Sequence, residues 1–224
     1  QKVGCTVHLQ TRFTDLQRDG NKITSITVQN AEGTHTIQAT VFIDATADIY
    51  LARAAGCQSA IGTETPDAYD EPSAPEQSEI ILNNASLCYR IAPLKPGEEP
   101  DIPPIPTDVD LDKLRTAPSI RTYPNGDLNM NPLHTMTGLE AFELGDQAYA
   151  VAHKRMQAHW HILQTQYGFE FAPWKMTWTS PFLGVRETHR LVGQYVLREQ
   201  DLMATLANQD HNDIVAIADH AIDF

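Results

Sequence analysis

The chain has 224 residues, of which 29 are acidic and 16 basic, giving a net charge of −13, with 42% apolar and 20% charged residues. That length holds one large domain or two small ones, and the composition is ordinary for a globular protein. A surface of this sign repels phosphate backbones with no dense basic patch to offset it, and no apolar run reaches the about 18 residues of a membrane span, so the expected partners include neither nucleic acid nor membrane.

In chain order, the opening reads as a β-meander. Val7, Leu9, Thr11 and Phe13 alternate with polar residues, Asp19-Gly20-Asn21 supplies a turn, and a second strand follows from Ile23 to Gln29. Ala31-Glu32-Gly33 turns the chain into a third strand beginning near Thr34. Three consecutive apolar residues, Val41-Phe42-Ile43, then replace the alternation, the pattern of a strand covered on both faces. Asp44-Ala45-Thr46-Ala47-Asp48 follows, then a helix over Leu51–Ala55 with Gly56 as its stop. A buried strand, a turn and a helix have the local shape of a nucleotide-binding edge.

Residues 66–106 hold nine of the fourteen prolines, which excludes regular helix there, and 64–112 hold twelve Asp or Glu, a solvated excursion. One strand is expected around Ile80–Ile91 and a short extended piece at Leu128–Pro132. From Gly138 to Tyr167, Leu144, Ala148, Val151, Met156, Trp160, Leu163 and Tyr167 recur at helical spacing before Gly168. The pattern then predicts a strand over Leu191–Leu197 and helices over Glu199–Leu206 and Asp213–Ala221.

The chemical motifs are few. None of the twelve glycines forms a G-x-G, so neither a dinucleotide fingerprint nor a P-loop is present. Cys5, Cys57 and Cys88 are too sparse for a disulfide framework or zinc site and fit a reducing, cytoplasmic compartment. No metal is expected: His159 and His161 face different ways on a helix, and His211, Asp213, His220 and Asp223 match no ligand spacing. Trp174, Trp178 and Phe182 beside Pro173 and Pro181 line a substrate pocket or, the more ordinary role, pack a core edge. The most distinctive run is Gly184 to Tyr195, where Arg186 and Arg190 sit four apart around Glu187. Two guanidinium groups beside a carboxylate suit the grip of an anionic group or, the more ordinary reading and on chemistry alone the favoured one, a structural ion-pair network at a domain seam.

That run, continued by Val196 to Leu202, resembles the signature G-V-R-E-T-R-R-I-V-G-E-Y-x-L-x-x-x-D of FAD-dependent oxidoreductases of the glutathione-reductase-like superfamily. Phe42-Ile43-Asp44-Ala45-Thr46-Ala47-Asp48 is similar to that family's I-D-A-T-G-D-G-D-L-A edge, and Asn129-Met130-Asn131-Pro132, Asp213-Ile214-Val215-Ala216 and Ile222-Asp223 are similar to further shared elements. The resemblance implies an α+β and α/β architecture. Residues 1–62 would form the β-meander and the edge of an FAD-binding Rossmann-like domain, and 63–224 a mixed α/β substrate domain. Ala45, Thr46, Ala47 and Asp48 would lie near FAD. Arg186, Glu187 and Arg190 would be the catalytic or substrate-gripping group, with a small-molecule, potentially anionic, substrate. It also implies a G-x-G-x-x-G segment before Gln1 and another flavin-binding segment after Phe224. The chain would then be an internal piece that docks against those segments and neither retains FAD nor turns over by itself.

Three departures stand out. Ala47 and Ile49 occupy positions where the family pattern has Gly, and His189 replaces an Arg, making any anion contact there weaker and pH-dependent. The rival expectations are a noncatalytic ligand-binding module derived from the same fold and, behind it, a polysaccharide-acting lyase or hydrolase.

Overall fold

A computed structural model describes residues 4–111, 114, 117–209, 211–214 and 216–217. The meander forms from β1 (Arg12–Asp19), β2 (Lys22–Asn30) and β3 (Gly33–Gln38), antiparallel in the order β1-β2-β3. Both turns fall where Gly20 and Gly33 supply positive φ. β1 begins later than the alternation suggests: Gln10 takes φ +51, which ends extended pairing, and leaves Val7 and Leu9 exposed ahead of the sheet.

The expected strand at Val41–Ile43 is not formed. Val41 is 72% and Ile43 87% exposed, and every ladder among the described residues is antiparallel. A doubly covered strand needs neighbours on both edges, and among the described residues no strand pairs with it. Helix α1 (Tyr50–Ala54) is as expected. Gly56 sits at φ +78, its N–H on Arg53 O and the Cys57 N–H on Ala52 O, the paired bonds that close a helix C-terminus through a left-handed residue. Arg18 of β1 donates to Ala55 O at 2.7 Å and ties the meander to that helix end.

β4 (Ser59–Ile61) and a single turn, α2 (Pro66–Tyr69), lead into the acidic, proline-rich stretch. Its regular strand is only β5 (Tyr89–Pro93); upstream, Ala85 and Ser86 make isolated bridges to Met136 and Gly184. β6 (Ser119–Thr122), β7 (Leu128–Asn131) and, after two helices and a turn, β8 (Trp174–Thr179) join β5 in an antiparallel sheet ordered β6-β7-β5-β8.

The long helical pattern divides into α3 (Gly138–Leu144) and α4 (Ala148–Gln166), with α5 (Gly168–Phe171) beyond. Gly145, at φ +52, leaves the right-handed helical region, and a 3₁₀ turn over Gly145–Gln147 restarts the chain in a new direction. Thr137 caps α3, its Oγ1 accepting from the Glu140 N–H at 3.0 Å. One stripe of α4, Ala148, Ala152, Met156, Trp160 and Leu163, is buried against Leu87, Tyr89, Ile91 and Met130 of the sheet. The Tyr89 hydroxyl meets His159 Nδ1 at 2.9 Å inside this core, a buried polar contact between the sheet and α4.

The chain returns through β9 (His189–Leu191), which pairs with β4 in a two-stranded sheet, Ala60 opposite Arg190. The expected strand over Leu191–Leu197 thus shrinks to its first residue, because β4 offers three partners and no more. α6 (Glu199–Met203) follows, with a further 3₁₀ turn at Leu206–Asn208. The helix expected over 213–221 lies largely outside the described residues, as do His220 and Asp223.

Gly62 closes β4 at φ +83, and a Cβ there would stand 2.3 Å from the Glu79 carbonyl oxygen. Gly126 has a similar φ of +88 but open space around it. Gly62→Ala is expected to cost about 2–4 kcal/mol, from backbone strain plus overpacking, and Gly126→Ala only about 1–2 kcal/mol, from strain alone. Urea unfolding of the two variants measures the difference.

Candidate functional site

The Asp44–Asp48 turn is organised by one carboxylate. Asp44 accepts from the Thr46 N–H at 3.0 Å, the Thr46 hydroxyl at 2.6 Å and the Ala52 N–H at 3.0 Å. Burial opposes ionisation of Asp44, but these bonds, led by the Thr46 hydroxyl, outweigh it and hold its carboxyl below the usual range. Thr46 Oγ1 in turn accepts from the Tyr50 N–H at 3.1 Å, so the turn and the start of α1 form one unit. Ala45, Thr46 and Ala47 are exposed on it. Ile49, which stands where the resembled motif has Gly, takes φ +46 and ψ +46. A β-branched residue there is strained, and the strain explains why glycine suits the position.

Asp48 faces away from this network. Its carboxylate accepts from the Thr188 hydroxyl at 2.5 Å and from the Tyr50 hydroxyl. The Asp48 hydrogen bond, with burial behind it, pushes the Tyr50 phenol above its ordinary pKa. Thr188 is buried, 3% exposed, and belongs to the distinctive arginine-containing run. The two segments singled out in the sequence, 140 residues apart, therefore meet at one hydrogen bond.

Within that run the charged residues separate. Arg190 donates to Gly62 O at 2.5 Å and to Glu64 at 2.6 Å, and lies 3.8 Å from Glu187. Glu187 accepts from the Asn83 N–H at 3.1 Å. Both are engaged in straps between loops. Arg186 is exposed, and its charge acts on Cys88, whose thiol burial pushes up while Arg186 draws it down. His189 hydrogen-bonds Ser59 Oγ at 3.1 Å and rests edge-on to Phe142, ring centres 5.5 Å apart. Burial and the Arg53 charge lower its pKa, against the pull of Asp48, so it carries no positive charge at neutral pH.

Asp48 and Thr188 open onto a groove of about 490 Å³ between α1, the α3–α4 break and the strand-like run 182–185. Tyr50, Phe142, Tyr149 and Phe182 line it beside Arg53 and Asp146. Tyr149 is held in place by its hydroxyl, which donates to Ser180 O at 3.0 Å. Phe182, of the aromatic stretch, faces the groove and is 78% exposed, whereas Trp174 packs on the core. Phe142, Asp146 and Tyr149 escaped the sequence reading. Their i, i+4, i+7 spacing sets them on one face of the expected helix, a signal that could have found them.

A second hollow, about 220 Å³, lies beside Arg190, Glu64 and Tyr69. Among the described residues no three His, Cys, Asp or Glu side chains converge as metal ligands, and no helix is long and apolar enough to cross a membrane. The family model for FAD dependent oxidoreductases matches the chain over residues 1–224. No curated protein and no solved structure matches it.

Two outcomes follow from the turn. Ile49→Gly is expected to stabilise the protein or leave it unchanged, since about 1–2 kcal/mol of left-handed strain is relieved, while Leu51→Gly within α1 lowers stability by about 1 kcal/mol or more; urea midpoints decide. Asp44 has a folded-state pKa below its unfolded value, so its contribution is present above about pH 4 and lost as pH falls through the folded value. Asp44→Asn should therefore be less stable than the parent at pH 7, with the gap closing as pH falls below about 4 in pH-dependent melts.

Proposed function

We propose that this chain, which belongs to the FAD dependent oxidoreductase family, supplies the substrate side and one flavin-contacting edge of a redox enzyme of the glutathione-reductase-like superfamily. The observation that carries the reading is that Asp48 belongs at once to the exposed Ala45–Asp48 turn and to the wall of the groove. A cofactor against that turn and a substrate in that groove would be neighbours, as transfer between them requires.

The turn suits one edge of a flavin. Its side chains are small, its backbone is exposed, and Asp44 holds it rigid without a contribution from the cofactor. Ala45, Thr46, Ala47 and Asp48 would hold the group there. When bound, FAD supplies the hydride acceptor. The chain has no G-x-G, so the phosphates would be held by a segment outside these 224 residues. On this reading the Rossmann-like edge comprises the exposed Val41–Ile43 stretch and the turn after it.

The protein's own groups act by position. Glu187 and Arg190 strap the 187–190 run to Asn83, Gly62 and Glu64, and thereby present Thr188 to Asp48. We assign them positioning roles. Grip of an anion by both arginines loses support, because Glu64 already offsets the charge of Arg190. A noncatalytic binding module of the same fold is the second reading, favoured by the Cβ of Ala47 and the strained Ile49 at positions where the family pattern has glycine.

The complete protein, purified natively, should carry an absorbance band near about 450 nm that bleaches on anaerobic addition of its electron donor. A colourless protein that also takes up no added FAD would sink the redox reading and leave the binding module.

A further inference from the structure

We infer that the groove beside Asp48 binds a neutral sugar ring, stacked on its aromatic side chains with its hydroxyls at the Asp48 end. The inference rests on the redox reading above and names the substrate class of that same site.

Phe142, Tyr149 and Phe182 put three aromatic side chains, each 37% or more exposed, on one wall system, while Asp48, Asp146 and Arg53 supply charge. Isolated exposed aromatics are common, but several sharing one concave surface mark a ligand site. The volume of about 490 Å³ falls within the range of roughly 300–1,000 Å³ usual for small-molecule clefts.

The chemistry of the lining then discriminates among ligands. A wholly apolar ligand would cover the aromatics but strip water from two carboxylates and a guanidinium without replacing their hydrogen bonds. An anionic ligand would meet Asp48 and Asp146 against Arg53 alone, on a chain of net charge −13. His189, behind Phe142, adds no cation at neutral pH. A sugar satisfies both halves. One face of its ring is a patch of C–H groups that lies on an aromatic face, and its edge carries hydroxyls that donate to carboxylates. Asp48 has acceptor sites left after Thr188 and Tyr50, since an ionised carboxylate offers about four. Arg53 donates to the ring or hydroxyl oxygens.

The fold makes this surface rigid. Tyr149 is fixed by its bond to Ser180 O, Phe142 by its contact with His189, and Asp48 by Thr188 and Tyr50. Phe182 alone is free to adjust, which suits a side chain that closes over a bound ring.

Saturation-transfer NMR on the complete protein tests the inference, with methyl β-glucopyranoside and methyl β-galactopyranoside as neutral probes and glucuronate and lactate as anionic ones. At least one methyl glycoside should receive saturation at its ring C–H protons and bind roughly threefold or more tighter than glucuronate. Phe182→Ala, at a site too exposed to affect folding, should weaken that binding roughly fivefold with an unchanged melting temperature. Silence from both glycosides, tighter binding of either anion, or unchanged glycoside binding in Phe182→Ala each overturns the proposal. The readout needs no flavin, so it separates from the absorbance test. Flavin uptake without glycoside binding overturns only the sugar assignment, and glycoside binding in a protein that takes up no flavin overturns only the redox reading.

Discussion

The hydrogen bond from Thr188 to Asp48 joins two segments that local chain preferences could never bring together. Its acceptor is a carboxylate and its donor is buried, the combination in which a single hydrogen bond counts most. Around it, Arg190 holds Gly62 and Glu64, Glu187 holds the Asn83 backbone, and β9 pairs with β4. The strands are three residues long and would not persist as an isolated pair. The clasp of side-chain contacts and the short ladder reinforce one another, and together they set the width of the groove between α1 and the 182–188 run.

The second support is the sheet carrying β5, with α4 laid across it. Small residues at Ala148 and Ala152 let the helix approach, and Met156, Trp160 and Leu163 fill the space toward its other end. This platform fixes the end of α4 that bears Tyr149. Phe142 of α3 and Tyr149 of α4, seven residues apart across the 3₁₀ turn at Gly145–Gln147, line the same opening.

The turn from Asp44 to Ile49 combines order and strain. Asp44 spends its acceptors on the turn and on α1, leaving Ala45 to Ala47 outward, while Ile49 holds a left-handed conformation that disfavours a branched side chain. Strain of this kind survives only where surrounding bonds over-determine the backbone, and it gathers at working sites. The pattern accords with membership of the FAD dependent oxidoreductase family and sets this chain apart from the glycine-bearing motif it resembles.

The sequence by itself determined what depends on near neighbours. The meander, the stop of α1 at Gly56, the buried stripe of α4 and the two motif segments were all legible, because alternation, helical spacing and left-handed glycines act over a few residues. It misled where an element needs a partner from elsewhere. Val41–Ile43 has the composition of a covered strand but no pairing strand among the described residues, and the strand after Leu191 stops where β4 runs out. Only the tertiary structure decided where each charge of the run sits. Arg186 and Arg190 look alike at four-residue spacing, yet Arg190 is strapped to Glu64 whereas Arg186 is exposed near Cys88. The groove, too, exists only in three dimensions: its aromatic residues come from α3, α4 and the run after β8, and long-range packing, not local preference, put them around Asp48.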